Sequence, residues 1–143
     1  NTTDMDINMS PFEAGLSFIV DLEKEDFIGK KALLKKEKNV LLYGLICKTA
    51  TPSSGSKILD GNDEVGYITA GVPSPTLGLG IGYVRFIKGK DWQGKKLQLC
   101  LPNGEIHSSE IVDLPFFDKE KKIIKGVDKS IPEISNDFQY DAY

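Results

Sequence analysis

Beyond Val40 the chain is a succession of short apolar runs, each broken after a few residues by glycine, proline, asparagine or aspartate. Runs of this length separated by turn residues fit the strands of an antiparallel sandwich or barrel, and they leave no room for long helices. Within this region Leu77, Leu79, Ile81 and Tyr83 alternate with Gly78, Gly80 and Gly82. Successive side chains leave a strand on opposite faces, so one face here is bulky and the other is bare backbone that a second segment or a ligand can approach closely.

The neighbouring runs follow the same logic. Val40 to Cys47 is almost uniformly apolar, as in a strand covered on both faces. Thr51 to Ser56 then breaks the chain into a loop. Ile58-Leu59 opens a strand, Asp60-Gly61-Asn62-Asp63 turns it, and Val65 to Ala70 returns as its hairpin partner. Leu97, Leu99 and Leu101 alternate with Lys96, Gln98 and Cys100, the pattern of a half-buried strand. Pro102-Asn103-Gly104 predicts a hairpin into the last strand, Glu105 to Leu114, which Pro115 closes.

The first forty residues read differently. Residues 1 to 12 are polar and end in Ser10-Pro11, a lead-in loop, because proline holds its predecessor extended. The apolar run Leu16 to Val20, interrupted by Ser17, predicts a short strand. From Phe27 to Lys36 apolar residues recur at helical spacing, with Asp26 as candidate cap. The lysines of this segment, Lys30, Lys31, Lys35, Lys36 and Lys38, are read as a solvated face rather than a binding patch. The expected fold is therefore mainly β, a small antiparallel β-barrel preceded by a short strand-helix segment. Asp118 to Lys122 is highly charged, and Ser130 to Tyr143 is acidic and aromatic without periodicity, an extension that wraps a partner surface or is poorly ordered.

Composition excludes several functions. Eighteen basic against 21 acidic residues leave a net charge of −3, too balanced for a nucleic-acid or anionic-membrane surface by charge alone. The apolar runs fall short of the roughly 20 residues of a membrane helix and no signal-like segment opens the chain, so a soluble protein is expected. Cys47 and Cys100 sit in apolar strand patterns without CxxC spacing and are expected to be reduced and buried. With one histidine, His107, a zinc site is not expected.

Three features suggest chemistry at first reading. Gly78-Leu79-Gly80-Ile81-Gly82 looks like a phosphate loop, but its glycines lie inside an alternating strand and no Gly-Lys-Ser/Thr follows, so close strand packing is expected. His107, Ser108, Ser109 and Glu110 offer a base, hydroxyls and a carboxylate, yet neighbours on one strand face opposite ways and do not converge as a triad does. Glu13 is an acid within an apolar run, which calls either for a structural hydrogen bond pinning the loop or for direct ligand binding. No residue of the chain is assigned as catalytic.

Several blocks together resemble one family. Ser10-Pro11-Phe12-Glu13-Ala14-Gly15-Leu16, with Lys24, Asp26-Phe27-Ile28-Gly29-Lys30 and Ala32-Leu33, resembles the segment leaving the second domain of the glycine cleavage T-protein, an aminomethyltransferase. Val65 to Gly71, Ser74-Pro75-Thr76-Leu77 and Ile81-Gly82-Tyr83-Val84 resemble that family's barrel, and Asp113-Leu114-Pro115-Phe116 its closing strand. The resemblance runs from about residue 10 to 117 in the family's order and spacing. The same module ends the flavin-dependent dimethylglycine and sarcosine dehydrogenases, the alternative reading, and Pro115-Phe116-Phe117-Asp118 before a charged tail is reminiscent of those longer chains. A non-catalytic binding module is the third.

The resemblance implies that residues 1–38 end a folate-binding domain, that 39–117 form the C-terminal barrel and that 118–143 are a charged extension. It implies a tetrahydrofolate cavity enclosed by three domains, with the catalytic acid in the first of them, so that this chain supplies one wall and is inactive by itself. Its partners would be upstream domains or a companion subunit, folate and a small amine donor, with no nucleic acid and no membrane, in the cytoplasm or, in a eukaryote, the mitochondrial matrix. The first residue, Asn1, is not methionine, so the chain is read as a processed product or a cut or proteolytic fragment, and sequence upstream has to be considered. Among site residues, Phe18 falls where relatives carry an aromatic near the folate, Glu13 belongs to the same segment, and Ser53 falls where several relatives place a cofactor-contacting arginine.

Overall fold

The computed structural model describes residues 4–5 and 7–130, and the expectation for the end of the tail lies outside them. Six strands form a closed antiparallel barrel: β1 (Leu42–Cys47), β2 (Lys57–Asp60), β3 (Asp63–Ser74), β4 (Leu79–Phe86), β5 (Lys96–Cys100) and β6 (Ile106–Val112), in the order β1-β4-β3-β2-β5-β6. The fold is mainly β, as the sequence predicts. β2 and β3 form the hairpin expected around Asp60-Gly61-Asn62-Asp63, and Pro102-Asn103-Gly104 joins β5 to β6, with Gly104 at φ 90° where only glycine is unstrained.

Alternation explains the interior. Leu45, Cys47, Ile58, Ile68, Val84, Phe86, Leu97, Leu99 and Ile111 point inward and are buried, while the intervening residues face outward. Trp92, in the loop before β5, closes one end by stacking on Phe86 with ring centroids 4.2 Å apart and planes 5° from parallel. Its indole N–H donates to the Lys88 carbonyl at 3.1 Å.

On β4, Gly80 and Gly82 lie on the inward side with Val84 and Phe86, and what approaches them is the Thr51–Ser56 loop. A Cβ on Gly80 would stand 2.2 Å from the Ala50 carbonyl oxygen, and one on Gly71 of β3 would stand 2.1 Å from that of Pro52. Pro52 is fully buried and plugs the barrel over these glycines. Gly78 differs from the expectation. It lies in the turn before β4, at φ 64°, donating its N–H to the Ser74 carbonyl at 2.8 Å, and β3 extends to Ser74 rather than ending near Ala70.

Two elements before the barrel depart from the sequence reading. The predicted strand at Leu16 to Val20 is a turn of 3-10 helix, Ser17–Ile19, with Ile19 N–H bonded to Leu16 and Val20 N–H to Ser17. A closed barrel has no open edge, so an extra apolar run has no ladder to join. The predicted helix shrinks to α1 (Lys30–Leu34), whose N-cap is Gly29 at φ 93°, not Asp26. The Asp26 carboxylate instead accepts the N–H of the adjacent Phe27 at 2.9 Å. Beyond β6, the Asp118 carboxylate accepts the N–H groups of Lys122 and Ile123 and folds the first part of the extension into a local turn.

Candidate functional site

Ser10-Pro11-Phe12-Glu13 builds a single helical turn with a reciprocal cap. The Ser10 hydroxyl accepts the Glu13 N–H at 3.3 Å, and the Glu13 carboxylate accepts the Ser10 N–H at 2.7 Å. Pro11 occupies the first helical position, where its missing N–H costs nothing. Gly15 ends the turn at φ 72°, with its N–H on the Phe12 carbonyl and the Leu16 N–H on the Pro11 carbonyl, the paired bonds of a glycine C-cap. The Glu13 carbonyl in turn accepts the N–H groups of Leu41 and Leu42 at 2.8 and 3.1 Å, fastening the turn to the start of β1.

These bonds occupy Glu13 locally. The Ser10 N–H, and after it the Ser10 hydroxyl, hold the Glu13 carboxyl below its usual pKa, with smaller help from Lys36 and Arg85. The carboxylate thus stabilises the turn that delivers Leu16 and Phe18, and Glu13 itself is not among the residues lining the adjoining cleft.

That cleft, of about 530 Å³, lies on the outer surface of the barrel between the Ala14–Phe18 segment, β1, β4 and the chain after β6. Its aromatic lining is Phe18, Tyr43, Tyr83 and Phe116. The Tyr83 and Phe116 rings meet at 5.7 Å, and the ring of Phe18 is 82 % exposed. Asp113 supplies a carboxylate at the same wall. A smaller apolar hollow of about 180 Å³ continues past Tyr83 and Phe116 to Ala70, Val72 and Ile81. The exposed ring and the cleft together offer apolar area to a ligand or a second surface.

Ser53 lies elsewhere. β1 starts at the cleft with Leu42 and ends at Cys47, and Ser53 follows in the loop beyond that far end, lining neither hollow. Its N–H and hydroxyl meet the buried Ser56 hydroxyl at 3.3 and 3.2 Å, which fixes the loop around Gly55. The structure brings Phe18 together with Tyr43, Tyr83 and Phe116 and leaves Ser53 apart from them. The sequence reading missed these three rings, because alternation alone marked Tyr83 as the bulky side of a strand.

The other candidates resolve simply. His107 sits with Nδ1 3.0 Å from the Thr49 hydroxyl and Nε2 3.5 Å from the Glu105 carboxylate, whereas the Ser109 hydroxyl donates inward to the Leu97 carbonyl at 2.9 Å, so base and hydroxyls do not converge. Both cysteines are free; Cys47 is buried, but Cys100 is only half-buried because its position at the end of β5 leaves it at the outward side. Among the described residues no cluster of His, Cys, Asp and Glu could hold a metal ion, and no helix is long and apolar enough to cross a membrane.

A closed six-stranded barrel, led in by a capped turn and carrying an aromatic cleft on its outside, defines a small antiparallel β-barrel module. The chain belongs to the glycine cleavage T-protein C-terminal barrel domain family, whose model matches residues 41–118. It is 41 % identical over 119 residues to an aminomethyltransferase of Halothermothrix orenii, covering 79 % of this chain and 32 % of that relative. It is 38 % identical over 117 residues to an aminomethyltransferase of Thermotoga maritima, covering 80 % of the chain and 32 % of the relative. The chain therefore spans about a third of the length of the curated relatives it matches. The crystal structure of the glycine cleavage system aminomethyltransferase T from Bartonella henselae has the same fold, with a TM-score of 0.68 at 23 % identity over 82 % of this chain and 34 % of that one.

Proposed function

We propose that this chain is the C-terminal part of an aminomethyltransferase and forms one wall of a tetrahydrofolate cavity, with residues 1–38 ending the folate-binding domain, residues 39–117 forming the C-terminal barrel and residues 118–143 a charged extension. The observation that carries the reading is the exposed ring of Phe18 beside an apolar cleft of about 530 Å³. Burying a phenylalanine ring contributes about 1.5–3 kcal/mol, which a ligand or partner surface covering Phe18 would gain. Tetrahydrofolate fits that lining, since its flat pterin and aminobenzoyl parts stack on aromatic faces and its pterin N–H groups suit a carboxylate such as Asp113. When bound, it supplies the nitrogen that accepts the one-carbon unit.

Within this reading the chain's own residues orient and exclude water. Phe18 offers a stacking face, Tyr43, Tyr83 and Phe116 shield the cleft, and the Ser10–Glu13 cap holds the segment that presents Phe18. Ser53 provides no cation, so the carboxylates of the folate tail must find theirs on other parts of the protein.

Titration calorimetry with tetrahydrofolate tests this on the longer protein containing the three domains. Phe18→Ala should weaken binding about tenfold with the melting temperature little changed. Unchanged affinity removes Phe18 from the site, and tight binding by the 143-residue chain alone refutes a cavity shared with other domains.

A further inference from the structure

The sequence reads residues 1 to 12 as a polar lead-in loop, yet one acid of that stretch is buried. Asp4 is 5 % exposed and so is Thr69, whose hydroxyl donates to the Asp4 carboxylate at 2.6 Å. A carboxylate leaves water only where donors replace its hydration, and a hydroxyl bond of this length is among the stronger ones available to it. Thr69 is placed for the bond by an irregularity of β3. Ile68 pairs with Val84 and Ala70 with Tyr83, so Thr69 is the extra residue of a bulge, and its hydroxyl also lies 3.4 Å from the Tyr83 carbonyl oxygen. Bulges re-aim side chains that a regular ladder would hold in line, and here the re-aimed group meets Asp4.

The same segment is fastened a second time, where the Glu13 carbonyl accepts the N–H groups of Leu41 and Leu42. In the barrel β4 lies between β3 and β1, so the chain from Asp4 to Glu13 passes over the outer face of β4. Tyr67 of β3 and Leu42 of β1 are both register partners of Arg85, which places the crossing near that residue. Between the two anchors Ser10 and Phe12 are buried. Directly after the second anchor, Ala14, Gly15, Leu16 and Phe18 line the aromatic cleft together with Tyr83.

We infer that Asp4 is a positioning residue: with Thr69 it latches a strap, the segment from Asp4 to Leu16, across β3, β4 and β1, and so fixes the rim of the cleft next to Phe18. Held at both ends, the strap is ordered when the chain folds, and a ligand entering the cleft does not have to order it. Held at Glu13 alone, it swings about that end and carries the rim with it. The latch itself does not depend on what occupies the cleft; its effect on ligand affinity rests on the folate reading.

Amide exchange of the 143-residue chain, followed residue by residue by nuclear magnetic resonance, tests the latch. The Leu41 N–H, bonded to Glu13 at the far end of the strap, should exchange about tenfold faster in Asp4→Ala and in Thr69→Val, while Ile58 of β2 and Leu99 of β5 keep their protection as proof of folding. Thr69→Ser, which retains the hydroxyl, should exchange as the parent does, and Asp4→Asn, which retains an acceptor oxygen, should fall between parent and Asp4→Ala. Asp4→Ala/Thr69→Val should be no faster than the faster single variant, because all three lose the same bond. A Leu41 rate unchanged in Asp4→Ala and Thr69→Val, or a double variant that adds two separate losses, overturns the latch. In the longer protein, Asp4→Ala should weaken tetrahydrofolate binding about threefold, beside Phe18→Ala as reference. If Phe18→Ala weakens binding and Asp4→Ala does not, Asp4 does not position the cleft and the inference is overturned; if neither does, the folate reading fails and the exchange result alone decides the latch.

Discussion

Gly80→Val is the sharpest test of how the barrel is plugged. The backbone of Gly80 is not at a positive φ, so a side chain there meets no conformational penalty, and its cost is steric. The Cβ alone would lie 2.2 Å from the Ala50 oxygen, 2.8 Å from the Thr51 Cα and 2.8 Å from the Pro52 Cδ. Two of these three obstacles are main-chain atoms, which cannot swing aside as the end of a flexible side chain does. Overpacking a tight interior costs roughly 1–3 kcal/mol, and with backbone as the obstacle the upper end applies, about 3 kcal/mol. With a urea slope of about 2 kcal/mol per molar, the unfolding midpoint should fall by about 1.5 M.

The same geometry grades its neighbours. Gly71→Ala, whose Cβ would meet the Pro52 carbonyl oxygen at 2.1 Å, should be as damaging, while Gly82→Ala, with nearest contacts at 3.0 Å, should cost less. Adding Pro52→Ala to Gly80→Val should restore only part of the loss, because the Ala50 oxygen stays where it is. Urea unfolding of all four proteins reads the series. An unchanged midpoint for Gly80→Val, or full rescue by Pro52→Ala, would refute the backbone-contact argument.

Three further outcomes are expected. Glu13→Gln should lower stability by about 0.5 kcal/mol at neutral pH, measured by urea unfolding, because the amide oxygen still accepts the Ser10 N–H and only the charge is lost. Because the folded-state pKa of Glu13 is depressed, its contribution is fully present above the ordinary carboxylate value of 4.5 and is lost as pH falls through the folded value, so the difference between parent and variant should vanish on acidification. A difference that persists in strong acid would show that the carboxylate is not its source. In thiol labelling of the native chain, Cys100 should react well before Cys47, and equal rates would contradict the buried position of Cys47 inside the barrel. In the 143-residue chain Phe18→Ala should change the unfolding free energy by less than about 0.5 kcal/mol, and a larger loss would mean that the ring packs within this chain.

The barrel was legible because each of its strands carries its own record. Leu97 and Leu99 alternate with polar neighbours, Asn103-Gly104 names its turn, and the bare Gly80 and Gly82 announced a close approach before Pro52 was known to make it. What failed was the chain before β1, and the cause is physical: Leu16 to Val20 has the composition of a strand, but strand formation needs a partner edge, and closure of the barrel removes every edge. Similarly, Gly78 shares the spacing of Gly80 and Gly82, yet a repeat of two residues does not say where a strand begins.

The cleft was the least legible feature, and its residues show why. Alternation tells which side chains of a strand share a face, but not whether the outer face meets water. Tyr43, Ile81 and Tyr83 lie on the outside of β1 and β4, where a free-standing barrel would carry polar side chains, and Leu16, Phe18 and Phe116 reach them from segments remote in sequence. This apolar outer face is thus met in part by the chain's own segments, in residues that within the strands look like core, and the cleft is what those segments leave open. If, as proposed, the chain is part of a longer protein whose other domains cover this cleft, amide exchange across β1 and β4 should slow in that protein relative to the 143-residue chain, while β2 and β5, which line neither hollow, should exchange alike in both. Equal protection of β1 and β4 in the two proteins would mean that the face stays open, and the cleft would then have to be explained by a ligand alone.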